Sequence, residues 1–228
     1  MKAEELFSLP DEFLFRSFFS PEDAPWDWIR AIKNSFDASE FSPNPDAFPS
    51  LSTGVFVDGP VFIDPSVKVG PNVVIHGPAY IGPMTELRPG VFIRGNVIIG
   101  EGSVVGNSSE LKNCMLLNRV QVPHFNYVGD SILGEGVHLG AGVICANLRL
   151  DRANVPVKTP SGTVNSGLVK LGAMIGSEAE VGCNSVLNPG TILGKRSLVY
   201  PSMCFGGYLE DDSIAAPKQQ EIRTIKRR

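Results

Sequence analysis

Aliphatic residues recur in this chain at every sixth position. From Val57 the series runs through Ile63, Val69, Ile75, Ile81, Leu87, Ile93, Ile99, Val105, Leu111 and Leu117. An amphipathic helix would repeat every 3.6 residues and an ordinary strand every 2, so neither fits. A longer fixed period marks a solenoid, and six-residue repeats predict an all-β solenoid of the parallel β-helix type. Two positions before each beat stands a smaller residue: Val55, Val61, Val67, Val73, Ala79, Thr85, Val91, Val97, Ser103. One small and one large inward residue per short strand suit a narrow triangular prism with about six residues to a side. About eighteen residues then complete one coil, which rises by roughly the 4.8 Å strand spacing. Corners are marked by Gly70-Pro71-Asn72, Gly77-Pro78 and Pro89-Gly90, residue types that take up turn geometry.

The next beat falls on Pro123, followed by His124, and there the rhythm is expected to break. It restarts at Leu133, Leu139 and Cys145, yields to a polar stretch from Asn147 to Val169, and resumes at Ile175, Val181, Leu187, Leu193 and Val199. So long an excursion inside a solenoid points to function. Residues 1–50 differ in character: they hold both tryptophans, Trp26 and Trp28, and much of the phenylalanine. Pro21-Glu22-Asp23-Ala24-Pro25 predicts a helix start, after which Trp28, Ile29, Ile32 and Phe36 share one helical face, a packing surface. The expected organisation is a helical cap and linker over 1–50 that covers the first coil. A β-helix follows over 51–206 with its excursion at 147–169, and a tail over 207–228 ends in a short helix.

Composition narrows the function classes. A net charge of −4 argues against nucleic acid as a partner. The one basic cluster is the tail from Lys218 through Arg223 to Arg228, which reads as a solvated terminus. The four cysteines, Cys114, Cys145, Cys183 and Cys204, lack CxxC spacing and are expected as buried, reduced thiols. No apolar run approaches the ~18 residues that span a bilayer. The acidic start, Met1-Lys2-Ala3-Glu4-Glu5, is unlike a targeting peptide, so the expected location is cytoplasmic.

The residue after each beat faces outward and is usually small or neutral. Arg88, Arg94, Lys112 and His124 are exceptions. Arg94 and Lys112 lie one eighteen-residue coil apart and are expected to stack. Arg88 and His124 lie two coils apart and are expected to align on another face. Stacked cations beside a histidine suit a phosphate-bearing substrate, against the plainer reading of solvated side chains. Histidine also accepts a proton near neutral pH, as a general base must. The remaining histidines, His76 and His138, fall at unrelated spacing.

Several stretches within residues 85–205 carry a family resemblance: Glu110-Leu-Lys-Asn113, His124 through Asp130, Gly140-Ala-Gly142, Ala146-Asn-Leu148 and Lys170-Leu-Gly-Ala-Met-Ile-Gly176. They resemble the acetyltransferase domain of the bifunctional N-acetylglucosamine-1-phosphate uridyltransferase/glucosamine-1-phosphate acetyltransferases and, more closely, archaeal-type sugar-1-phosphate relatives. The resemblance implies a left-handed β-helix, a homotrimer, active sites between subunits and acetyl-CoA as cosubstrate. It implies His124 as general base, and Lys112, Tyr127, Asn147 and Lys170 as substrate contacts. The family arginine is Arg94 by its offset from Lys112 or Arg88 by its Leu-Arg-Pro-Gly wording, with Arg94 preferred. Ala141 matches a position whose backbone N–H contacts the acetyl group, and Cys183 stands at a cofactor-side serine. Lys218 or Arg223 would stand in for a coenzyme-binding arginine, and His138 replaces a substrate-binding asparagine. Nothing in residues 1–50 resembles a glycine-rich nucleotide loop, so uridyl transfer is not carried over.

The expected activity is acetyl-CoA-dependent N-acetylation of an amino-sugar 1-phosphate such as glucosamine or galactosamine 1-phosphate. The alternative is a non-catalytic sugar-phosphate-binding or assembly module on the same fold. A γ-type carbonic anhydrase, which shares the prism, would need three histidines gathered on zinc, and the spacing of His76, His124 and His138 does not gather them.

Overall fold

The computed structural model describes residues 1–38 and 41–218. The hexapeptides wind into a left-handed parallel β-helix of about nine turns. Three eight-stranded sheets form the sides of the prism. Face A starts with the strand Phe56–Asp58, face B with Val61–Ile63 and face C with Lys68–Val69, and each strand pairs in parallel with one a coil later. The beats point inward as the pattern requires: Ile63, Ile75, Ile81, Leu87, Ile93 and Ile99 are all fully buried. At the corner leading from face C to face A, successive coils place Gly90, Ser108, Phe125, Gly142, Asn184 and Ser202 at positive φ. That conformation costs a branched or bulky side chain most, and at Phe125 the ring is left largely in solvent.

The rhythm slips earlier than the sequence suggests. Ile99 pairs with Leu116, not Leu117, so the coil that follows Leu111 is one residue short. The inward series then continues through Val122 and Val128, beside Val105 and Leu111. A second coil is shortened before Leu133, which pairs with Leu116. Both losses fall at the corner from face A to face B, at Lys112-Asn113 and at Gly129-Asp130. In the next coil that same corner opens into the excursion, and Leu133 reaches its neighbour only at Ile175. A bridge between Leu148 and Lys170 closes the neck of the excursion. Its distal part is an antiparallel hairpin, Pro156–Thr159 with Gly162–Asn165.

The slip also changes the expected alignment of Arg88 with His124. Both border face C, but His124 pairs with Asn107, whereas Leu87 pairs with Val105 and Val105 with Val122. Arg88 therefore falls in line with Gly106 and Pro123, one residue out of step with His124.

The cap lies elsewhere than on the first coil. Helix α1 (Trp28–Ala38) and the segments before it pack across the outer surface of face B. Trp28, Ile29, Ile32 and Phe36 bury against Ile98, Met115, Ile132, Met174 and Ile192, which point outward from successive strands. Val155 and Val157 of the excursion complete this second core. Face B is thus apolar on both sides, as a sheet covered on both sides requires. The first coil is covered by the linker instead. Asn44 exchanges side-chain bonds of 3.0 Å with both the N–H and the carbonyl of Ile63, and Phe48 packs against the end of the column.

At the other end the strands Tyr208–Leu209 and Ile214–Ala215 continue faces B and C, so the coil runs beyond residue 206. The expected terminal helix falls largely on residues 219–228, outside the described residues. Among the described residues no helix is long and apolar enough to cross a membrane.

Candidate active site

Chemistry-bearing side chains gather along two edges of the prism. The first is the shortened edge between faces A and B. There Asp130, with its side chain 4% exposed, accepts two bonds from Lys112 Nζ at 3.0 and 3.1 Å. It also accepts 2.7 Å from Asn113 Nδ2 and a bond from Asn147 Nδ2. Asn147 Nδ2 donates as well to the Tyr127 hydroxyl at 3.1 Å. A carboxylate removed from water needs such donors, and here one cation and two amides satisfy it. The missing residue in each coil is what draws Lys112, Asn113 and Asp130 together, since a shorter corner leaves no slack between them. Gly129 holds Tyr127 and Asn147 in place. A Cβ there would stand 2.5 Å from the tyrosine hydroxyl and 2.7 Å from the Asn147 amide. Partial burial raises the Tyr127 phenol above its ordinary range, so it stays a neutral hydroxyl at working pH.

Arg94 precedes this group by one coil, as its strand pairs Ile93 with Leu111. Its guanidinium is held at 2.6 Å by Glu110 and lies over the Phe92 ring. Lys170, at the excursion neck, is exposed beside Lys112 in a cleft of about 400 Å³ that Asp130 and Asn113 also line.

The second edge, between faces C and A, stacks His124, Ala141 and Cys183 in register. The Gly142 N–H donates to His124 O at 3.0 Å, and the Asn184 N–H to Ala141 O at 2.8 Å. The His124 imidazole is exposed while its backbone is fixed, its N–H reaching Asn126 Oδ1 at 3.0 Å. Asn126 is itself buried and anchored to Gly140 O at 2.8 Å. Gly140 and Gly142 both donate their N–H groups to neighbouring coils. The Ala141 N–H between them meets no acceptor among the described residues. Beside this column, face C carries a groove of about 410 Å³ that includes His138, Cys183, Leu198 and Tyr200.

The chain therefore brings Lys112, Asp130, Tyr127, Asn147 and Lys170 together at one edge. It sets His124, Ala141 and Cys183 at the other, a full prism side away. Arg88 joins neither group and bonds Glu86 at 3.1 Å. Lys218 is exposed at the end of the described chain, and Arg223 lies outside the described residues. His76 stands on face A between Phe56 and Phe92, 3.6 Å from Asp58. Asp130 and Asn113 are the site residues that sequence reasoning missed. The signal for them was the pair of five-residue steps at one corner.

Only two of the four cysteines are buried. Burial pushes the Cys145 thiol up to about 12 and the Cys114 thiol higher still. Cys183 and Cys204 are exposed. Titration of the native protein with a thiol reagent at pH 8 is expected to modify these two within minutes, and Cys114 and Cys145 only after denaturation. Prompt reaction of all four would contradict the packing described.

In repeat and winding the chain is similar to the hexapeptide-repeat acyltransferases. Its sequence is similar to the C-terminal region of the bifunctional sugar-1-phosphate nucleotidylyltransferase/acetyltransferases. It is 36% identical to the bifunctional sugar-1-phosphate nucleotidylyltransferase/acetyltransferase of Sulfurisphaera tokodaii, over 78% of this chain and 43% of that one. It is 35% identical to the bifunctional protein GlmU of Methanococcus aeolicus, over 90% of this chain and 48% of the relative. The chain thus spans a little under half the length of either. Residues 75–169 match the family model described as the GMPPB C-terminal domain. Among solved structures, a mutant perosamine N-acetyltransferase from Caulobacter crescentus, in complex with CoA and GDP-perosamine, aligns at 16% identity and a TM-score of 0.35. That alignment covers 85% of this chain and 62% of the other.

Proposed function

We propose that the chain is an acetyl-CoA-dependent N-acetyltransferase acting on an amino-sugar 1-phosphate, assembled as a homotrimer in the cytoplasm. The observation that carries this reading is the second edge. An exposed imidazole, held by its backbone, stands in register beside a backbone N–H that lacks an acceptor. Such a pair is what acyl transfer to an amine needs: a proton acceptor for the nucleophile and a donor for the developing oxyanion. His124 removes a proton from the sugar amine as its nitrogen bonds to the thioester carbonyl. The Ala141 N–H donates to the oxygen that becomes negative. The C–S bond then breaks, and the coenzyme A thiolate leaves. The face C groove, with Leu198 and Val199 beside Cys183, fits an apolar arm that leads a thioester to that corner.

Recognition of the sugar falls to the other edge. Asn147 and Tyr127 offer directional hydrogen bonds, and Lys112 keeps an ammonium proton beyond those that Asp130 engages. The separation of the two edges supports the trimer, since neighbouring prisms would bring one edge of each against the other. Face B is covered by the cap, which leaves faces A and C for that contact.

The test uses purified protein with acetyl-CoA and either glucosamine 1-phosphate, galactosamine 1-phosphate or the unphosphorylated amino sugars. Thiol release above the Cys183 and Cys204 background is expected with a phosphorylated substrate and about tenfold less, or none, without the phosphate. Silence with the whole panel overturns the enzymatic reading, and sugar-phosphate binding without turnover would replace it with a binding module.

A further inference from the structure

Helix α1 does more than cover face B. Its residues Ile29, Arg30 and Lys33 form a wall of the cleft at the A/B edge, facing Lys112 and Lys170 across it. Spacings of three and four residues put Ile29, Arg30 and Lys33 on one side of the helix. Ile29 is buried as the anchor, and Lys33 is exposed into solvent. The helix is held in this position by Arg30, which donates 3.0 Å to the Ser166 carbonyl of the excursion and 2.7 Å to Asp27. A segment far away in sequence is thereby fixed beside the site.

The charges in this cleft do not balance. Four cations line it, Arg30, Lys33, Lys112 and Lys170, against a single carboxylate, Asp130, which is already engaged by Lys112 and two amides. Arg30 has Asp27. Among the described residues no carboxylate lies within ion-pair distance of Lys33 or Lys170. The chain as a whole carries −4, so this concentration of positive charge is local and runs against the average. Cations that face one another across a cleft repel, and an anion placed between them removes that repulsion.

We propose that Lys33 and Lys170 form a second anion subsite beside Lys112, so that the ligand of this edge carries a diphosphate. This rests on the sugar-phosphate reading above and refines its substrate class from a sugar monophosphate to an amino sugar linked through a diphosphate. One phosphoryl group would meet Lys112 and the second would lie between Lys33 and Lys170. The shared chemistry is the diphosphate, whether it comes as free pyrophosphate, as a nucleoside diphosphate or as a nucleotide-linked sugar.

Calorimetric titration of the intact protein tests this without any turnover. The probes are inorganic phosphate, pyrophosphate and uridine diphosphate in 50 mM and 200 mM salt. Pyrophosphate is expected to bind at least tenfold more tightly than phosphate, and the preference is expected to shrink on raising the salt. Lys33→Ala is expected to bring the preference to within about twofold while phosphate affinity stays within twofold of wild type. Lys68→Ala, at an exposed position on face C, is the control for general loss of positive charge and should leave the preference intact. Uridine diphosphate stronger than pyrophosphate would point to a nucleotide-linked source, and equal binding to the diphosphate alone. Equal affinity for phosphate and pyrophosphate, or a Lys33→Ala variant that behaves like Lys68→Ala, overturns the subsite. Acetyl transfer to a sugar monophosphate beside equal affinities for phosphate and pyrophosphate would remove the subsite and leave the enzyme standing. Pyrophosphate preference without acetyl transfer would do the reverse.

Discussion

Replacing His124 by alanine is expected to lower kcat for acetyl transfer by about 10³-fold, within the ~10²–10⁴ range of a lost general base. That corresponds to roughly 4 kcal/mol of transition-state stabilisation. KM for acetyl-CoA and for the sugar phosphate should each stay within about threefold, because the imidazole contacts neither the Lys112 cluster nor the face C groove. The fold should be indifferent to the change. The corner is held by the His124 N–H to Asn126 Oδ1, by the Gly142 N–H to His124 O and by Asn126 to Gly140 O, none of which uses the ring. Thermal unfolding is expected within the ~0.5 kcal/mol typical of an exposed substitution. Steady-state kinetics and a melting curve on the same preparation decide the matter. Wild-type kcat in His124→Ala would transfer the base role elsewhere, and a collapse of the melting temperature would make the residue structural.

Much of the fold was legible because the hexapeptide rhythm is a direct record of which side chains face the prism axis. What it hid was the slip after Leu111. A lost residue is easiest to see where the outward neighbour is polar, and here it is not. Leu116 faces inward and Leu117 faces outward beneath the cap, so either keeps the series apolar. The apolar outer surface of face B, with Met115, Ile132 and Met174, reads equally well as continued core. The position of the cap was illegible for the same reason. An aromatic stripe on Trp28, Ile29, Ile32 and Phe36 states that the helix is covered, and says nothing of which surface covers it. Lys112 could be named as a cation just after a beat, and Tyr127 and Asn147 only through the family resemblance. Asp130, which ties Lys112 to Asn147, could not, since its role exists only where two shortened coils and the excursion meet at one corner. Arg30 and Lys33 were beyond reach altogether, as a contact across more than a hundred residues leaves no trace in local pattern.

Removal of the Asp130 carboxylate is expected to be the most damaging single change to the first edge. Asp130→Ala would leave the Lys112 ammonium and the Asn113 and Asn147 amides without their shared acceptor in a mostly buried setting. Breaking such a group costs about 3 kcal/mol. For a chain of this length that corresponds to a fall of roughly 6–12 °C in Tm. Part of any loss could come from the backbone, since Asp130 sits at φ 47°, where alanine is disfavoured but asparagine and glycine are tolerated. Asp130→Gly separates the two causes, because it relieves the backbone and still removes the carboxylate. If the network dominates, Asp130→Gly should lose nearly as much as Asp130→Ala. Asp130→Asn, which keeps one accepting oxygen, should fall between them and wild type. Activity should report the same hierarchy through KM for the sugar phosphate, raised about tenfold or more in the alanine and glycine variants. Lys112 and Asn147 would no longer be held at the spacing that the substrate requires, and the acetyl-CoA side, a full prism face away, should keep its KM. A Tm within 2 °C of wild type in Asp130→Gly would show that the three donors find other partners and that the carboxylate is not what organises this edge.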